Sequence, residues 1–112
     1  MHPNKYNARR TIVDGIAFDS AKEALRYSEL QMLLRAGEIR ALKRQVAIPL
    51  MGQLGPLKTP NGRLMRLTVD FVYEDRRLGW ATVWEDSKGV VTRDFVVRAA
   101  VAEAMGIKVT LT

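Results

Sequence analysis

Four side chains stand out for the chemistry that their types and spacing allow: Glu23, Asp70, Asp86 and Lys88. Asp86 and Lys88 are two residues apart in a β-prone run, so an extended backbone sends both to one face and lets them reach one point. Asp70 interrupts the run Leu67-Thr68-Val69-Asp70-Phe71-Val72-Tyr73, with apolar neighbours on both sides. A carboxylate in such surroundings is costly to bury unless a cation or a metal meets it. The short connection from Glu74 to Gly79 makes the two runs neighbours, which can set Asp70 beside Asp86. Gathered carboxylates repel and raise one another's pKa, and a divalent cation reverses that penalty. Oxygen-only ligands select hard ions, so Mg2+ or Mn2+ is implied over zinc. Each residue also has a plainer use. Glu23 can complete a capping box with Ser20, and Asp86-x-Lys88 can be a solvated pair at a strand end.

Composition narrows the alternatives. The 112 residues contain no cysteine and a single histidine, His2. That excludes disulfide scaffolds, thiolate zinc sites and cysteine nucleophiles, and leaves carboxylates, lysine and hydroxyls to carry any reaction. A formal charge of +6 favours a polyanionic partner, although net charge says nothing about fold. No apolar run approaches the ~20 residues of a membrane span. The opening Met1-His2-Pro3-Asn4-Lys5 lacks the apolar core of a signal peptide, so a cytoplasmic protein without membrane contact is expected.

The elements that must position these groups are legible. Residues 1–10 read as a basic arm, and residues 11–112 as a single domain. Thr11-Ile12-Val13, Asp14-Gly15, Ile16-Ala17-Phe18 predicts a hairpin, because Asp-Gly tolerates the positive φ of a type I′ turn. A helix follows from Ser20 to Gly37, with an apolar stripe of Ala21, Leu25, Leu30, Met32, Leu33 and Leu34. Residues 39–50 look extended, and Met51 to Arg63, with three glycines and two prolines, reads as a loop. Strands are predicted over Leu67–Tyr73 and Trp80–Lys88. A second helix is predicted from Thr92 to Met105, stopped by Gly106, then a short strand to Leu111. The order is that of a mixed α/β domain, with a central sheet flanked by helices.

The combination resembles the PD-(D/E)XK nuclease superfamily. Its core takes an acid from the first helix, an Asp from one strand and a (D/E)-x-K from the next. Those positions are filled here by Ser20-Ala21-Lys22-Glu23, Val69-Asp70-Phe71 and Asp86-Ser87-Lys88-Gly89. The layout is similar to phage Holliday-junction resolvases of the endonuclease I type. Asn4-Lys5-Tyr6-Asn7, Val13-Asp14-Gly15-Ile16, Phe18-Asp19-Ser20, Ala36-Gly37-Glu38-Ile39 and Trp84-Glu85-Asp86-Ser87-Lys88-Gly89 resemble a narrower family of small phage and prophage proteins assigned to that superfamily. The likeness spans nearly the whole chain. Two departures stand out: Val69 replaces the usual Pro before the strand Asp, and the third acid is Asp86 rather than the commoner Glu.

The resemblance implies a restriction-endonuclease-like αβββαβ core behind the N-terminal hairpin. It also implies a Mg2+- or Mn2+-dependent DNA endonuclease that hydrolyses phosphodiester bonds, selective for junctions, branches or nicks, in phage recombination, replication or packaging. Glu23, Asp70, Asp86 and Lys88 would be catalytic, and Asp70, Asp86 and Glu23 would hold the metal. Lys88 would orient the attacking water. Gln45 and Glu29 are accessory candidates, Glu29 as rival to Glu23 for the helix acid. Glu85 is rejected, because an odd offset from Lys88 puts it on the opposite face. Lys5, Arg9, Arg10, Arg66, Arg93 and Arg98 would contact DNA phosphates without reading sequence. Trp80 and Trp84 are expected on the face of Asp86, in core packing or on a base. Paired cuts across a junction would imply a homodimer. The alternative is a catalytically inactive nucleic-acid-binding module on the same fold.

Overall fold

Local turn chemistry sets the course of the chain. A computed structural model describes residues 10–112, so the arm preceding Arg10, with Lys5 and Arg9, lies outside the described residues. Strands β1 (Thr11–Val13) and β2 (Ile16–Phe18) pair antiparallel across Asp14 and Gly15. Both turn residues have positive φ, 51° and 77°, as a two-residue type I′ turn requires. Helix α1 (Ala21–Arg35) starts where the Ser20 hydroxyl accepts the Glu23 N–H at 3.1 Å. It stops in a Schellman motif: Gly37 takes φ 75°, its N–H reaches the Leu34 carbonyl, and the Glu38 N–H reaches that of Leu33.

The apolar face of α1 differs from the stripe expected. Ala24, Tyr27 and Leu30 face the core, whereas Ala21, Leu25 and Met32 are exposed. The aromatic ring decides the rotation. Tyr27 packs between Phe18 and Phe71, with ring centroids 5.1 and 6.3 Å away, and burying an aromatic outweighs burying a leucine edge. Because Glu23 lies one turn before Tyr27, the same rotation carries Glu23 inward.

The main sheet contains β3 (Ile39–Pro49), β6 (Arg66–Asp75), β7 (Ala81–Asp86) and β8 (Val109–Leu111), in that spatial order. The first three are antiparallel; β8 runs parallel to β7 after helix α2 (Arg93–Ala104) crosses over. This is the mixed α/β fold expected, in αβββαβ order behind the N-terminal hairpin. The Thr92 hydroxyl caps α2 by accepting the Phe95 N–H at 3.1 Å.

Two departures arise from residues in left-handed backbone. Trp80 has φ 66°, so β7 begins only at Ala81, and Trp80 lies under the Arg40 guanidinium at 4.1 Å rather than beside Asp86. The expected loop at 51–63 contains a small hairpin, β4 (Met51–Gly52) with β5 (Gly55–Pro56), since Gly55 accepts the φ of 127° that folds it back.

Two apolar clusters meet along β6. Phe71 and Tyr73 join Phe18, Ala24, Tyr27, Leu30 and Ile39 beneath α1. Leu67 and Val69 join Ile48, Leu50, Phe95 and Ala102 beneath α2, with Trp84 packed against them. Asp70 therefore sits at the seam between the two halves of the core.

Candidate active site

The β6–β7 ladder runs in register from Asp75↔Ala81 to Phe71↔Glu85. The next pair is Asp70 and Asp86, and here the pairing changes character. The Asp70 N–H donates to Asp86 Oδ1 at 3.1 Å, and the Ser87 N–H donates to Asp70 Oδ2 at 2.8 Å. Each carboxylate thus satisfies backbone of the opposite strand, and the strands open where the two acids meet. On the far side β8 holds the end of β7, with Asp86 registered on Leu111 and its carbonyl accepting the Thr112 N–H at 3.0 Å.

Asp86 is 2% exposed, and its Oδ2 is buried with no hydrogen bond; its neighbour is Lys88 Nζ at 3.1 Å. Burial first, and then the adjacent Asp70, push the Asp86 carboxyl up to about 6; Lys88 opposes the rise. The Lys88 ammonium sits 4.7 Å from the Phe95 ring centroid, which fixes it over an aromatic face. Lys22 donates to the Lys88 carbonyl at 3.2 Å, tying the first turn of α1 to the segment after β7.

Glu23 completes the set. The Ser20 cap is made, yet the Glu23 carboxylate faces β3: Gln45 Nε2 donates to its Oε2 at 3.4 Å, and Arg44 lies 3.7 Å away. Burial raises its pKa, offset in part by hydrogen bonding with Asp70 and by the Arg44 charge. The same Gln45 amide donates to Asp70 Oδ1 at 3.2 Å, so one side chain bridges two acids. Gln45 does this from φ 49°, a left-handed conformation inside a strand, between the pairs Arg44↔Phe71 and Val46↔Val69. A non-glycine residue held there carries backbone strain, of a kind that clusters at functional sites.

The four principal residues, with Gln45, therefore meet at one place, supplied by α1, β3, β6, β7 and the segment after it. Glu29 does not join them; it pairs with Arg26 at 2.8 Å on the surface. Glu85 points the other way, buried in a clasp where Arg26 donates twice at 2.8 Å and the Tyr73 hydroxyl once at 2.8 Å. Burial and the Glu85 charge push the Tyr73 hydroxyl up to about 12. Of the cations, Arg10, Arg66 and Arg93 are exposed. Arg98 is a brace, bonded to Asp94 at 3.0 Å and to the Arg66 carbonyl at 2.8 Å. Arg44 was missed by sequence reasoning. Its guanidinium lies 4.5 Å from the Phe18 ring centroid, with Nε buried and without a hydrogen bond. Its alternation with Leu42 and Val46 on the inner side of β3 was the available signal.

Among the described residues, no three Asp, Glu, His or Cys side chains stand in an arrangement that holds an ion as placed. The Gln45 amide lies between Glu23 and Asp70, and the Lys88 ammonium stands at the open oxygen of Asp86. The donor chemistry does fit a hard divalent cation: every acid offers oxygen, and Asp86 Oδ2 is a buried acceptor lacking a hydrogen bond. Trp84 is half-buried against the α2 cluster and serves packing.

Among the described residues, no helix is long and apolar enough to cross a membrane. No curated protein and no solved structure matches the chain. Residues 3–112 match the family described as "Protein of unknown function (DUF1064)", and the chain belongs to that family.

Proposed function

We propose that the protein is a divalent-metal-dependent endonuclease that hydrolyses phosphodiester bonds in DNA. The observation that carries this reading is the opening of the β6–β7 ladder at Asp70 and Asp86, with Glu23 and Lys88 brought to the same point. Asp70, Asp86 and Glu23 would hold Mg2+ or Mn2+, after Gln45 and Lys88 swing off the oxygens they now engage. When bound, the ion would supply charge neutralisation and an acidified water. The chain's own groups do the rest. Lys88, steadied by Phe95, contacts the phosphate and orients the attacking water. Arg44, 3.7 Å from Glu23, holds that acid in place. The exposed arginines meet the backbone without reading bases.

Branched or nicked DNA is the substrate proposed, in phage recombination, replication or packaging, and such a substrate would place the protein in the cytoplasm. Paired cuts across a junction would need two copies. The test is incubation with four-way junction, flap, nicked and plain duplex DNA under Mg2+, Mn2+ and EDTA. Cleavage that needs metal and is lost in Asp70→Asn supports the proposal; metal-independent or unaltered cleavage overturns it. One observation favours a second reading, a binding module without catalysis: Lys88 already pairs with Asp86, and the Gln45 amide already bridges Glu23 and Asp70. Metal-independent binding with no cleavage under either ion would select it.

A further inference from the structure

Four residues before Asp70 on β6, the chain builds a second polar recess, distinct from the acids. A cleft of about 410 Å³ is lined by Thr59, Arg63, Leu64, Arg66 and Arg98. Its cations are presented by rigid backbone. Arg63 ends a tight turn in which the Thr59 N–H reaches the Arg63 carbonyl at 2.8 Å and the Arg63 N–H reaches the Thr59 hydroxyl at 3.2 Å. Arg66 opens β6, and its carbonyl is gripped by Arg98 Nη1 at 2.8 Å. Arg98 is steadied in turn by Asp94.

Charge balance makes the recess unusual. The Arg63 and Arg66 guanidiniums have no ion-pair partner among the described residues, and Asp94, whose side chain is 73% exposed, is spent on Arg98. With Arg98 paired to Asp94, the charges of Arg63 and Arg66 are left facing one cleft, and they repel one another unless an anion sits between them. Guanidinium forks match the oxygens of a phosphate. We infer that this cleft binds a backbone phosphate of a DNA duplex, at a position displaced from the acids.

The spacing supports a duplex over a free phosphate. Four residues of strand span about 13 Å, which is about four base steps along B-form DNA at roughly 3.4 Å each. A rigid helix laid along β6 would meet both places at once. The inference rests on the nuclease reading for its substrate, but binding tests it independently.

The experiment is binding of a 24-base-pair duplex in EDTA, where no cleavage occurs, across a range of salt concentrations. Each lost phosphate contact lowers the log–log salt slope by about 0.9. The variant Arg63→Ala/Arg66→Ala is expected to lose affinity on the order of 10- to 100-fold at 0.1 M salt, with the slope shallower by about one. Arg63→Lys/Arg66→Lys should restore most of the slope, since the charge is kept. Both positions are exposed, and circular dichroism verifies that the variants fold. An unchanged slope in the alanine variant overturns the inference. So does inorganic phosphate binding the wild-type cleft more tightly than the duplex does, because the occupant would then be the free anion. If the slope falls as expected but wild type cuts no DNA under Mg2+ or Mn2+, the cleft stands and the nuclease reading falls. Cleavage with an unaltered slope gives the reverse.

Discussion

Asp86 Oδ1 accepts the Asp70 N–H at 3.1 Å, at the position where the β6–β7 ladder would next have paired backbone with backbone. Strand pairing thereby ends by exchanging main-chain partners for carboxylates. Both Asp70 oxygens are engaged, by Gln45 and by the Ser87 N–H, whereas Asp86 Oδ2 is buried without a hydrogen bond and faces the Lys88 ammonium at 3.1 Å. The Lys88 charge offsets part of the cost of burying that oxygen.

Asp70→Asn and Asp86→Asn keep the size of each side chain while removing its charge. Both should lower the rate of metal-dependent DNA cleavage by about 10²–10³-fold or more, as loss of an electrostatic group at a reacting centre does. Duplex affinity in EDTA should stay within about twofold of wild type, because the acids do not attract phosphates. Single-turnover rates and fluorescence anisotropy measure the two effects separately.

Asp86 also sets a pH dependence of folding. Its carboxyl is raised to about 6 from an ordinary value of 3.8, by burial first and by Asp70 second. The folded state therefore binds the proton more tightly than the unfolded chain does. Stability is highest below the unfolded value, declines as pH rises from about 4 to 6, and stays lower above that. Asp86→Asn should be more stable than wild type by about 1–2 kcal/mol at pH 7.5 and nearly equal to it at pH 4. Urea unfolding at the two pH values gives the comparison; an equal difference at both would sink the argument. Glu23, also raised, acts with the same sign.

The clasp of Glu85 with Arg26 and Tyr73 is structural. Glu85 is 1% exposed and accepts three hydrogen bonds. Removing one member of a buried pair strands the other, so Glu85→Ala should cost about 3 kcal/mol. Tyr73→Phe should cost about 1 kcal/mol. Glu29→Ala, at an exposed pair with the same Arg26, should change stability by less than about 0.5 kcal/mol. Chemical denaturation of the three variants ranks them, and a Glu29 effect as large as that of Glu85 would reverse the assignment.

Gln45 combines backbone strain with a bridging amide. Gln45→Gly relieves the φ of 49°, while Gln45→Ala keeps the strain, and both lose the bonds to Glu23 and Asp70. The glycine variant should be the more stable of the two by about 1 kcal/mol. Equal melting temperatures would mean that β3 relaxes at this position without glycine.

Much of this was legible beforehand because it depends on residues close in sequence. The Asp14-Gly15 turn, the Ser20 and Thr92 caps, the Gly37 stop and the alternation of Leu67, Val69, Phe71 and Tyr73 each follow from the backbone preferences of a few neighbours. The placement of Asp86 and Glu85 on opposite sides follows from the two-residue period of a strand, whereas Lys88, expected in the same strand, lies past the end of β7 at Asp86.

What the tertiary structure alone decided depends on contacts between distant residues. Whether Glu23 or Glu29 faces the acids was settled by Tyr27, whose packing between Phe18 and Phe71 fixes the rotation of α1. Leu25 and Met32 went outward for the same reason. Gln45 and Arg44 reach the site through an irregular β3 whose register shifts after Arg40, with Ala41 at φ 55°. No local pattern announces that shift, because it answers to the curvature β3 needs against β6. Local preference could supply the groups able to do chemistry, but their mutual distances are set by packing across the sheet.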